Sequence, residues 1–154
     1  MRTRLSAGQL TPLIEIIIAV AFFAGTSTIL VQVFAKAYND SRFAHDVNNA
    51  TLFVSECIER VRTSDSYDNI VNELLLIGFD KDDNERVFTI TLDDGFSPVS
   101  EEGAYSAVTL VLIKEDNEAG SLITGRFTST RRDGRELALM NTAKFIPGAA
   151  DAEP

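Results

Sequence analysis

The sequence predicts an α+β fold in which one long N-terminal helix packs on an antiparallel meander of four strands. Three observations carry this expectation. An apolar run near the N-terminus is long enough to cross a bilayer, a stripe of apolar residues at helical spacing follows it, and from Arg86 onward the period changes to two.

Ile16 to Ala35 is twenty residues interrupted only by Gly25, Thr26, Ser27, Thr28 and Gln32. A helix of about twenty residues at 1.5 Å per residue matches a hydrocarbon core of roughly 30 Å. Ala24, Gly25, Thr26 and Ser27 would let a second helix approach closely. Arg2 and Arg4 precede the run with no acidic residue before Glu15, so the positive-inside rule puts the N-terminus in the cytoplasm. The expected organisation is a cytoplasmic leader (1–12), a transmembrane segment (13–37) and an extracytoplasmic domain (38–154) of a single-pass cell-membrane protein. A cleaved secretory signal is the competing reading, because Ala35-Lys36-Ala37 has the small-x-small pattern. The apolar core is longer than the roughly 7–15 residues of a signal peptide, and Glu15 interrupts its start.

Within the outer domain, Phe43, Val47, Ala50, Val54, Cys57 and Val61 are spaced 4, 3, 4, 3 and 4, one face of an amphipathic helix over 38–62. Asp46, Glu56, Glu59 and Arg60 fall off that face. The spacing and Pro12, which suits a first helical turn, predict a helix from Pro12 to Arg62. Tyr38-Asn39-Asp40-Ser41 is its weakest stretch. Residues 63–85 read as a short helix, Tyr67 to Ile77, capped by Ser66 and ended by Gly78, and then an acidic loop. Residues 86–146 form the sheet: Phe88, Ile90 and Leu92 alternate, Ala104 to Lys114 is apolar on both faces like a central strand, and Leu122 to Arg131 leads into a two-residue hairpin at Asp133-Gly134. The last strand, Glu136 to Ile146, places Leu137, Leu139, Ala143 and Phe145 on one face. Residues 147–154 form a loose tail.

Composition excludes several classes. The formal charge is −9, and removing Arg2, Arg4, Lys36 and Glu15 leaves 11 basic and 22 acidic residues beyond Ala37, a net −11. Such a domain repels nucleic-acid phosphates. Cys57 is the sole cysteine, so no intramolecular disulfide or cysteine metal cluster can form, and it reads as a buried small hydrophobe. His45, the sole histidine, reads as a surface residue. Asp80-Lys81-Asp82-Asp83-Asn84-Glu85 opens like a calcium loop but lacks the glycine at the sixth position and the glutamate at the twelfth, so no metal or cofactor is expected. Arg131, Arg132 and Arg135 flank the hairpin tip as solvated charges.

Gly8-Gln9-Leu10-Thr11-Pro12-Leu13-Ile14-Glu15 followed by IIIAVAFFAG resembles the N-terminus of type IV pilins and pseudopilins, which carry a cleavage glycine, a hydrophobic residue, Thr, Leu, Ile, Glu and a continuous apolar helix. Thr11, Leu13, Ile14 and Glu15 match the block; Gln9 and Pro12 stand as extra residues, placing Glu15 seventh after Gly8 where the family has fifth. The resemblance implies a pilin-like fold, leader processing at Gly8–Gln9 by a prepilin peptidase, and pairing of Glu15 with the N-terminal amine of a neighbouring subunit. It further implies a non-enzymatic subunit, major or minor, of an envelope filament or secretion pseudopilus, with membrane lipid and like or related pilin-type subunits as partners. A monomeric single-pass protein with an extracytoplasmic binding domain is the alternative.

Overall fold

The computed structural model describes residues 7–83 and 86–148, without the side chains of residues 7–10. Its elements are helix α1 (Ala7–Thr63), helix α2 (Tyr67–Ile77) and strands β1 (Asp80–Lys81), β2 (Val87–Leu92), β3 (Ser106–Asn117), β4 (Gly120–Arg131) and β5 (Glu136–Pro147). The strands form one antiparallel sheet in sequence order. The chain divides into two compact units, Met1–Phe43 and Ala44–Pro154.

In the first unit, α1 starts at Ala7 rather than at the expected Pro12, so Pro12 lies inside the helix instead of in its first turn. Without an N–H, Pro12 cannot bond the carbonyl of residue 8, which weakens the ladder there. Tyr38 to Ser41 is helical, because Asn39, Asp40 and Ser41 cost a helix interior only a few tenths of a kcal/mol each. Nearly every side chain over 11–43 is exposed, including Ile14, Ile16, Phe22, Phe23, Val31 and Phe34. Thr26 and Thr28 satisfy their hydroxyls within the helix, bonding carbonyls of Phe22, Phe23 and Ala24. That suits a helix whose surroundings offer no water.

In the second unit, residues 44–63 of α1 lay the expected stripe on the sheet: Ala50, Val54, Cys57 and Val61 are buried. Helix α2 adds Ile70 and Leu74, the sheet's inner face adds Phe88, Ile90, Leu92, Val108, Leu110, Leu112, Ile123 and Phe127, and together they are the core. Each large apolar side chain so buried contributes about 1.5–3 kcal/mol. Helix α2 has the expected limits. Ser66 accepts from the Asn69 N–H at its start, and Gly78, at φ 109°, closes it by donating to carbonyls of the last turn.

The sheet has five strands, not four. The additional strand is Asp80–Lys81, assigned above to an acidic loop; it pairs with Thr89 and Phe88, and the Asp82 N–H donates to the Val87 carbonyl. Two exposed charged residues carry no alternation for sequence to reveal. The β4–β5 connection also differs from expectation. Gly134 (φ 84°) donates to the Arg131 carbonyl and the Arg131 N–H to the Arg135 carbonyl, which closes a three-residue loop. Pairing then shifts between Ser129 and Thr130, leaving Leu137 as the extra residue of a bulge. A one-residue shift reverses every later side chain. Leu137 is buried, but Leu139, Ala143 and Phe145 face outward, and Thr142 and Lys144 occupy the inner face. Lys144 extends its ammonium to the carbonyls of Arg62 and Ser64, capping the end of α1.

Val54 is fully buried, so the substitution Val54→Asp places an unpaired carboxylate between helix and sheet. Thermal melts of the full chain in detergent should show a loss of about 4 kcal/mol, a large share of the ~5–15 kcal/mol that holds such a domain together. Parent-like melting would show that this face is not core.

Candidate functional site

Two features stand apart from ordinary core and surface. The first is Glu15. It is exposed on α1 among exposed Leu13, Ile14, Ile16, Ile17 and Ile18, and its carboxylate makes no hydrogen bond or ion pair with any described residue. A carboxylate on an apolar helix is costly in lipid unless it lies near the interface or finds a cation. Gly8 and Gln9, expected to mark leader processing, lie within the first turns of α1; their side chains fall outside the described residues. Arg2 and Arg4, which set the expected orientation, also lie outside them.

The second feature was not anticipated. Asp46, placed off the apolar stripe by its charge, is buried at 4% exposure, because it lies one turn before Ala50 on the same face. Its Oδ2 accepts from the Tyr105 hydroxyl at 2.7 Å and from Arg131 Nη1 at 3.3 Å. The Arg131 guanidinium also lies 5.0 Å from the Tyr105 ring centroid. Arg131 therefore faces inward, while Arg132 and Arg135 are exposed as expected, Arg135 with an ion pair to Asp133 at 3.4 Å. The only sequence signal for this cluster is that 46, 50, 54, 57 and 61 continue the helical spacing backward by one step. The arrangement ties the helix to the start of β3 and the end of β4.

Elsewhere the chemistry is sparse. No group of three or more His, Cys, Asp or Glu among the described residues could hold a metal ion. Of the calcium-like run, Asn84 and Glu85 lie outside the described residues, and Asp80 and Lys81 are strand. His45 is exposed, its ring Nδ1 3.2 Å from the Asn49 amide. Burial, assisted by Glu56, pushes the Cys57 thiol up to about 12, so it is protonated and inert at neutral pH. An open cavity of about 650 Å³ is lined by residues including Val111, Ile113, Arg126 and Asn141, with no acid, histidine or cysteine among its described walls. No family model, curated protein or solved structure matches the chain.

The buried pair makes a thermodynamic cycle informative. Asp46→Leu strands Arg131 and the Tyr105 hydroxyl and should cost about 3 kcal/mol, whereas combining it with Arg131→Met, itself also measured alone, should recover most of that loss. Additive losses in urea unfolding would mean that the two residues do not act as a pair.

Proposed function

We propose that the chain is a non-enzymatic pilin-like or pseudopilin-like subunit of an envelope filament or secretion pseudopilus. On this reading α1 anchors it in the membrane with its N-terminus cytoplasmic and residues 44–148 extracytoplasmic. The observation that supports the reading most is the surface of α1 over 11–43: a helix long and apolar enough to cross a membrane, uncovered by the rest of its unit, and bearing one carboxylate near its start. An exposed apolar surface of that kind is covered by lipid before assembly or by neighbouring helices after it. The resemblance of Thr11, Leu13, Ile14 and Glu15 to the pilin block selects helices of like subunits as the final cover, and it gives Glu15 the role of neutralising a neighbour's N-terminal amine. Leaving lipid would expel the carboxylate from the interface into a dry bundle, where an unpaired charge is strongly destabilising; the pair would then fix the register between subunits.

Orientation is tested with a C-terminal tag. Protease added to spheroplasts should remove it from a membrane-bound chain; full protection would reverse the orientation, and a soluble mature form beginning at Tyr38 would establish a cleaved signal instead.

Assembly is tested by Glu15→Gln, which removes the charge and nearly keeps the shape. Membrane insertion should be unchanged or improved, since a neutral amide is cheaper in lipid than a carboxylate. Intersubunit crosslinking or incorporation into filaments should fall severalfold at matched expression. Undiminished assembly would remove Glu15 from any functional role. Mass spectrometry of the same samples reports whether residues through Gly8 are still attached, which decides whether the amine used by the pilin family exists here.

A further inference from the structure

Antiparallel sheets leave unpaired backbone groups along their outermost strands, and folded proteins blunt such edges with short strands, outward charges or a covering segment. The two edges of this sheet are treated very differently. On one side β1 is two residues long, and both are charged and exposed. On the other side β5 runs twelve residues. From Leu137 to Ile146 its only charged residue is Lys144, and that ammonium is turned inward to the carbonyls of Arg62 and Ser64.

The bonding of β5 shows which groups face out. The Gly148 N–H donates to the Ala119 carbonyl, so the even-numbered residues of β5 exchange bonds with β4 and the odd-numbered ones direct N–H and C=O away from it. Pro147 fits this alternation, because its missing N–H would have pointed outward and costs the ladder nothing. Among the described residues, the outward groups of Leu139, Asn141, Ala143 and Phe145 bond to nothing. The same residues carry their side chains on the outer face, where Leu139 is 52% and Phe145 49% exposed.

We propose that the β5 edge pairs with the β5 edge of a second copy of this chain, antiparallel about a two-fold axis. The hydrogen-bonding pattern calls for an added strand, and β5 is self-complementary. With Asn141 of one copy opposite Ala143 of the other, Leu139 lies opposite Phe145 on the outer face, twice over. Glu136 falls opposite Gly148 and Lys144 opposite Met140, so no like charges meet. The short charged β1 edge offers no comparable partner. The pairing goes beyond the proposed function, since it involves only the second unit and does not depend on Glu15 or on leader processing.

Directly opposed residues in such a pair have Cα atoms about 5.5 Å apart, within disulfide reach. The experiment uses full-length chains in their membranes: an Asn141→Cys chain with one tag, co-expressed with an Ala143→Cys chain with another, under mild oxidation. The parent, whose only thiol is the buried Cys57, is the control. A disulfide dimer carrying both tags is expected. An Ile113→Cys chain, exposed on the same face but on the central strand β3, should stay monomeric. Adding Leu139→Lys to both cysteine chains should abolish the dimer with melting unchanged, and adding Leu139→Pro should do the same by removing one outward N–H without touching the bonds to β4. Absence of the mixed dimer, equal crosslinking through Ile113, survival of the dimer in both Leu139 variants, or capture of a different protein would each overturn the pairing.

Discussion

The folded unit of this chain depends on covering one face of a five-stranded sheet. Its inner face carries Phe88, Leu92, Leu110, Leu112 and Phe127, and in water a sheet with that face open would not hold. The cover is chiefly the stripe Ala50, Val54, Cys57 and Val61 of α1, with α2 beside it. Two polar contacts fix where the cover sits. Asp46 is held by Tyr105 and Arg131 at one end of the stripe, and Lys144 caps the carbonyls of Arg62 and Ser64 at the other. Both are directional, so they define a register that apolar burial alone would leave loose.

Much of this was legible in the sequence because local and global preferences agree. The caps of α2 and the alternation of β2 produce the same elements in isolation as in the fold. Three features were illegible for separate reasons. Strand β1 exists only because β2 offers it partners, and its two charged residues show no period. Asp46 was assigned to solvent by its side chain, whereas its position on the helix places it inside; only a cation and a phenol some sixty and more residues later make that tolerable. The face of β5 was inverted by one bulged residue, Leu137, downstream of a loop that holds three residues where a two-residue turn was read. Patterns of period two cannot reveal such a shift, because the pattern on either side of it is intact. Of the candidate site, Glu15 was visible as the one charge interrupting an apolar run, while the buried cluster was not visible at all.

The sheet is also asymmetric in what it exposes. Strand β3 was apolar on both faces, the mark of a strand covered on both sides, yet Val111 and Ile113 are 36% and 49% exposed. The inversion of β5 adds Leu139 and Phe145 to that outer surface. A bulge that looks like a local irregularity thus decides which side chains the domain shows to its surroundings.

The Lys144 cap also sets an order of events. It joins groups 80 and 82 residues apart in the chain. The end of α1 is made early, by local bonds that form fast, but its last carbonyls wait for a side chain about eighty residues later. In a chain delivered N-terminus first, the stripe therefore stays incompletely fixed until residue 144 has arrived. Closure over such separations is what slows folding in sheet-rich domains. Here β5 works as a latch: a chain cut short of residue 144 would keep the Asp46 contacts at one end of the stripe but lose the cap that fixes the other.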